Sequence, residues 1–223
     1  IMAKGSANME HDHDTHGAPL PQDEIDQTKK ALGLPPESFY LPNEVIDFFQ
    51  NQFSDLDEMV NSNSSLLTRA LNDDNFKKIW NSTFNADLDN LALPNFESGE
   101  ILATRKAFGA TLDKFAEQTP LLVGGSADLE PSNYTTNFAN NYGDFAKDRR
   151  EGRNLAYGVR EFPMAAAMNG MSLHGGVIPF GGTFLVFADY ERPALRLGSI
   201  QQCGVIHEFT HDSFWVGEDG PTH

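Results

Sequence analysis

One cysteine, Cys203, among 223 residues leaves no disulfide within the chain and no cysteine-based zinc site. It sits in an apolar, strand-like run, which points to a buried thiol in a reducing compartment. Basic residues are scarce as well: 16 Lys and Arg stand against 32 Asp and Glu, a formal net charge of −16. Such a surface is repelled by nucleic acid and by anionic membranes, so neither is expected as a partner. No apolar run approaches the roughly 20 residues that a bilayer-spanning helix needs, and no secretory pattern is visible at the first residues. Internal repeats and low-complexity segments are missing too. A cytoplasmic protein fits these absences. With 39% hydrophobic residues, the chain can bury one large core or two small ones.

Along the chain, a His-rich loop over residues 10–19 is followed by helix-forming residues 22–32, with Gly33 placed to end the helix. Asn43 opens a run in which Val45, Phe49, Phe53, Leu56 and Val60 recur at spacings of three and four, the mark of an amphipathic helix. Residues 68–88 continue helical, and Phe76, Trp80 and Phe84 form a stripe expected to pack in a core. Residues 91–98, with Pro94 and no period, are the expected linker. Beyond Gly99 the pattern becomes helix (107–115), strand (121–124), polar insert (133–153), strand (155–159), helix (161–174), strand (177–180), helix (184–197) and strand (203–208). That alternation predicts an α/β fold with a mainly parallel sheet, helices on both faces, and ligand groups at the strand C-termini.

Glu161 is the residue around which this half is organised. It is expected where a short apolar strand hands over to the small-residue helix PMAAAMNG. A helix N-terminus favours an acid, while the apolar surroundings raise its pKa, so the group can hold or share a proton with a bound partner. Taken alone, it is more often a helix cap. Likewise Phe184, Phe187 and Tyr190, at i, i+3 and i+6 of a predicted helix, read alone as packing. Gly181 and Gly182 before them suit either a turn or a close approach to a ring. Asp128 reads as a turn cap and Arg105 as a surface cation. His11, His13 and His16 invite a metal reading that the two intervening aspartates and the loop setting make weak, and no metal ligand is assigned.

Four motifs read together change this: GSADLEPSN (residues 125–133), YGVRE (157–161), PFGGTFLVFADY (179–190) and THDSFWVGEDGPTH (210–223) resemble transketolase in order and separation. Residues 4–20, KGSANMEHDHDTHGAPL, resemble the end of that family's diphosphate-binding domain. The resemblance implies a thiamine-diphosphate-binding fold, in which residues 1–92 form the tail of the diphosphate-binding domain plus a helical linker, and 93–223 an incomplete pyrimidine-binding domain. It implies that Glu161 donates to the cofactor pyrimidine, that Phe184, Phe187 and Tyr190 form the aromatic pocket, and that Asp128 and Leu129 lie beside the cofactor. Arg105, Ser132 and His211 would hold a sugar phosphate, a set in which the guanidinium contact is the strong, charge-assisted one. Asp219 would read a substrate hydroxyl, and His16 and His223 would surround the transferred two-carbon unit and move protons. The family pattern places His-Ala after the glutamate, where Phe162-Pro163 stand here. His174 and His207 match no catalytic position.

The implied reaction moves a glycolaldehyde unit from a ketose phosphate to an aldose phosphate in the pentose phosphate pathway. The implied assembly is a homodimer with the cofactor at the subunit interface. The family's Gly-Asp-Gly motif and downstream Asn, which hold the diphosphate through Mg2+ or Ca2+, are not in this chain. It is therefore expected to be a fragment, inactive by itself. Two alternatives stand beside this reading: a non-catalytic pyrimidine-binding subunit of a split enzyme, and dihydroxyacetone synthase, against which the phosphate-binding set argues.

Overall fold

The structure, a computed structural model, describes residues 1–84, 86 and 88–212. The chain falls into two compact units, residues 1–69 and 70–223. In the first, a 3-10 turn at His13–His16 is capped by the Asp12 side chain, which accepts from the Asp14 N–H. Helix α1 spans Gln22–Ala31. Its Glu24 is buried and ties the N-terminal loop down, accepting from the Asn8 N–H at 2.6 Å, the Asn8 amide at 3.0 Å and the Met9 N–H at 3.3 Å. Those donors, with the Asn8 N–H foremost, hold its carboxyl below the ordinary value. Gly33, at φ +67°, follows the end of α1 where the sequence predicts a stop. Helix α2 runs from Asn43 to Ala70 and, despite its apolar stripe, contains no buried residue.

The predicted continuation of that helix is interrupted, because Asp73 starts a new one by accepting from the Phe76 N–H at 2.9 Å. Helix α3 then spans Asp74–Phe84. Its aromatic stripe is not core, contrary to expectation. Phe76, Trp80 and Phe84 stack on one another at 6.0 and 4.4 Å between ring centres, and Phe76 and Phe84 remain exposed. Spacing at i, i+4 aligned the rings but could not say what lies against them.

The rest of the second unit is a parallel three-stranded sheet in the order β1–β2–β3, with β1 at Leu122–Ser126, β2 at Ile178–Phe184 and β3 at Ile206–Thr210. Helix α4 (Thr104–Gln118), the single turn α5 (Glu130–Asn133) and α6 (Thr136–Tyr142) cover one face. There Leu112, Ala116, Leu122, Phe138 and Phe180 form a buried cluster, with the Phe138 and Phe180 rings edge to face at 4.9 Å. That geometry adds roughly 0.5–1.5 kcal/mol to area burial. Helix α7 (Glu161–His174) covers the other face through Met164 and Met168, and α8 (Ala188–Ile200) packs on α7. A Cβ on Gly181 would come within 2.8 Å of both Met sulfurs, so this glycine, interior to β2 and not in a turn, lets α7 seat on the sheet.

Three local expectations are corrected. Residues 155–159 form no strand: the chain touches β1 through one bridge, Gly124 to Asn154, and Gly158 at φ +66° turns it away. Phe184 does not begin a helix, because its pairing with Thr210 extends β2; a 3-10 turn over Leu185–Phe187 intervenes before α8. Finally, the polar insert contains α6, whose Phe138 is fully buried.

On the α8 side, His207 Nδ1 of β3 lies 3.2 Å from Glu191 Oε1, without hydrogen-bond alignment, and Glu191 is wholly buried. Removing one member of a buried polar pair leaves the other without its neighbour, typically at about 1–3 kcal/mol. His207→Phe is expected to lower stability in urea denaturation by that order, and a second change, Glu191→Met, should recover most of it.

Candidate functional site

Parallel strands deliver their C-terminal ends to one side of the sheet. Here that side collects the Ser126–Leu129 segment after β1, Thr183 and Phe184 of β2, Thr210 and His211 of β3, and the N-termini of α4 and α7.

Glu161 is the first residue of α7 and only 2% exposed. The Tyr190 hydroxyl donates to its Oε2 and accepts from the Glu161 N–H at 2.9 Å. Thr183 lies 3.4 Å from Oε1. Burial, and then the adjoining carboxylate, push the Tyr190 phenol above its ordinary value. The structure therefore brings Glu161 and Tyr190 into direct contact from separate helices. Phe184 and Phe187 lie nearly parallel, 15° apart with centres at 6.1 Å, and Phe184 also meets the His211 ring at 3.8 Å.

Arg105, on the first turn of α4, extends Nη1 to the Ser132 carbonyl at 3.2 Å and to His211 Nε2 at 3.3 Å. An open cavity of about 230 Å³ is lined by Ala103, Arg105, Thr210, His211 and Asp212. Behind it runs a chain of hydrogen bonds with one polarity. Thr210 Oγ1 donates to Asn133 Oδ1 at 2.8 Å, the Asn133 amide donates to Ser126 Oγ at 2.9 Å, and Ser126 Oγ donates to the Gly182 carbonyl at 3.2 Å. With the Thr210 proton committed to Asn133, its oxygen accepts from His211 Nδ1 at 2.9 Å, which leaves Nε2 as the acceptor facing Arg105. His211 stands at φ +53°.

Asp128 is exposed and left-handed, at φ +63°, directly after β1, and Leu129 precedes α5 with its N–H donated to Ser126 Oγ at 3.0 Å. His16 belongs to the first unit, exposed on the 3-10 turn. Asp219 and His223 lie outside the described residues. Among the described residues, three metal-capable groups come together at Asp12, His13 and Asp14, on the same loop and mostly exposed. A larger cavity, about 560 Å³, opens among Glu130, Asn140, Asp144, Arg149 and Asn154, and among the described residues none of the predicted site residues lines it.

A family model described as the transketolase pyrimidine binding domain matches residues 100–223, and one described as the transketolase thiamine diphosphate binding domain matches residues 1–79. Both halves of the chain thus fall in the class of thiamine-diphosphate enzyme domains. The chain belongs to the transketolase family. It is 43% identical over 225 residues to a transketolase of Halalkalibacterium halodurans, covering 98% of this chain and 33% of that protein. It is 41% identical over 235 residues to that of Bacillus subtilis, again covering 98% and 33%. Among solved structures, transketolase from Campylobacter jejuni aligns with a TM-score of 0.76 at 36% identity, over 99% of this chain and 33% of that one. The Leishmania mexicana enzyme aligns with a TM-score of 0.79 at 37% identity, over 94% and 32%. The chain spans about a third of the length of these relatives.

Sequence reasoning missed the residues beneath the site: Thr183, Asn133, Thr210 and Glu208. The signal for the last was a His-Glu pair inside a strand, which puts one ionisable group on each covered face. Glu208 is 7% exposed, neither carboxylate oxygen has a hydrogen-bond partner, and burial pushes its carboxyl up to about 8, against the downward pull of Arg105. A carboxyl with a raised folded pKa keeps its proton in the folded state after the unfolded chain has lost it. Stability therefore falls as pH rises from about 4.5 to about 8. Glu208→Gln removes that slope: in thermal denaturation, its melting temperature relative to the parent should climb across this interval. A constant difference would mean that Glu208 does not titrate there.

Proposed function

We propose that this chain is part of a transketolase that transfers a glycolaldehyde unit from a ketose phosphate to an aldose phosphate. The observation that carries the reading is the convergence of a buried acid, stacked aromatic rings and a cation–imidazole pair at neighbouring strand ends, joined through the Phe184–His211 ring contact. In this reading residues 1–92 belong to the diphosphate-binding domain and its linker, and 93–223 to the pyrimidine-binding domain.

The donor set suits an aminopyrimidine. Glu161 offers a dry carboxyl, and Phe184 and Phe187 offer ring faces whose stacking is worth roughly 0.5–1.5 kcal/mol. Thiamine diphosphate held there by Glu161, Phe184 and Phe187 would supply a nucleophilic thiazolium carbon for moving a two-carbon unit. Glu161 holds the proton given to the ring nitrogen; Tyr190 and Thr183 fix the direction in which its carboxyl points. Asp128 and Leu129 border the ring. Arg105, His211 and Ser132 bind the sugar phosphate, Asp219 reads a hydroxyl, and His16 and His223 move protons at the transferred unit. The diphosphate, with Mg2+ or Ca2+, is held by residues outside this chain, in a cytoplasmic homodimer with the cofactor between subunits.

In a full-length enzyme carrying this segment, Glu161→Gln should lower kcat by about 10²–10⁴-fold at saturating cofactor, because an amide cannot supply the same proton. Unchanged turnover would reduce Glu161 to a helix cap. Arg105→Ala should cost about 1.5–3 kcal/mol in kcat/KM for a ketose phosphate and leave hydroxypyruvate, which has no phosphate, within a few-fold of the parent. Equal losses for both donors would remove Arg105 from the phosphate site.

A further inference from the structure

Glu208 takes no part in the chemistry just described, yet it is buried beside Gly182 and Asn133, beneath the Arg105–His211 pair. Its carboxylate lies over Gly182, where a Cβ would come within 2.8 Å of Oε2 and 3.0 Å of the Asn133 amide nitrogen. That amide is already donated to Ser126, and both Glu208 oxygens are left without a partner. Glu208 and Thr210 share the face of β3 on which α5 packs, and Arg105 of α4 is the charge that acts on the carboxyl. The other charged or titratable groups on the surrounding elements are Lys106, over the Tyr134 ring at 5.9 Å, Asp113, Lys114 and Glu117 further along α4, Tyr134, Asp128 and Glu130, and His207, His211 and Asp212 on and after β3. Strand β2 has none.

We propose that Glu208 is a positioning residue for phosphate recognition: as a neutral carboxyl it leaves Arg105 to the substrate, and as a carboxylate it opposes the phosphate and competes for the guanidinium. Binding of phosphorylated sugars therefore weakens in alkaline solution. The inference rests on the reading of Arg105 as a phosphate contact. Its pH range follows from the burial that pushes Glu208 up to about 8. A phosphate monoester, with its second pKa at about 6, is already a dianion below that range, so its own titration does not account for a change above it. By linkage the effect is reciprocal, and a bound phosphate raises the Glu208 pKa further.

The test is KM for a ketose phosphate and for hydroxypyruvate between about pH 7 and pH 9, in a full-length transketolase carrying this segment and in its Glu208→Gln and Arg105→Ala variants. Because the neutral form of Glu208 falls about tenfold over that range, KM of the parent for the ketose phosphate should rise by up to about tenfold. Its KM for hydroxypyruvate should stay level, and Glu208→Gln should be level for both donors at an unchanged kcat. A rise that persists in Glu208→Gln overturns the proposal. An Arg105→Ala enzyme with no phosphate-specific loss sinks the underlying phosphate site instead. Should Glu208→Gln not fold, carboxyl carbon NMR of the parent decides: Glu208 must titrate near the predicted range and shift upward when ketose phosphate is added, and a carboxyl that does neither rejects the role.

Discussion

A carboxyl taken out of water has to find donors, find a cation or keep its proton, and among the described residues the second unit buries three of them around one sheet. Glu161 meets the demand with the Tyr190 hydroxyl and, more distantly, Thr183. Glu191 lies beside the His207 ring. Glu208 has no hydrogen-bond partner and feels the charge of Arg105. The three solutions place the acids on different elements but within reach of the same two strands, β2 and β3. Each constrains what its neighbours can be: Gly182 has no room for a Cβ beside Glu208, and Tyr190 has to reach from α8 to the start of α7.

Parallel pairing converts these local demands into a site. The register Ser126, Gly182 and Glu208 across the three strands aligns their ends, so that a helix entering or leaving there projects its first turn toward the same region. Arg105 and Glu161 occupy first turns of α4 and α7. The hydrogen-bond run from Ser126 through Asn133 and Thr210 to His211 links all three strand ends, and it orients the imidazole that faces Arg105. The site is thus supported from below by buried polar groups.

Much of this was legible in the sequence because it followed from alternation and motif order. The parallel sheet, the helix beginning at Glu161, the helix over α2 and the stop after α1 all came from period and punctuation. What failed was context. Phe76, Trp80 and Phe84 have core spacing, yet exposure depends on what covers a stripe, which spacing does not encode. Residues 155–159 have strand composition, but Gly158 turns the chain away after one bridge. Phe184 to Tyr190 mixes strand, 3-10 turn and helix within seven residues, too short a span for a period to register. Tyr190 was singled out through the resemblance as part of an aromatic pocket; its hydroxyl contact with Glu161 is a tertiary fact. Glu208 stayed hidden because the His207–Glu208 pair in a short strand becomes a signal only once both faces of that strand are known to be covered.

In this reading the buried acid and the cation–imidazole pair serve one substrate complex. The most direct measurement is a crystal structure of a full-length enzyme carrying this segment, with thiamine diphosphate and a ketose phosphate bound. The pyrimidine is expected against Phe184 and Phe187 with a ring nitrogen in hydrogen-bond reach of Glu161, and the phosphate within about 3 Å of both Arg105 and His211. A pyrimidine seated away from Glu161, or a phosphate held elsewhere with Arg105 still turned to the Ser132 carbonyl, would contradict it.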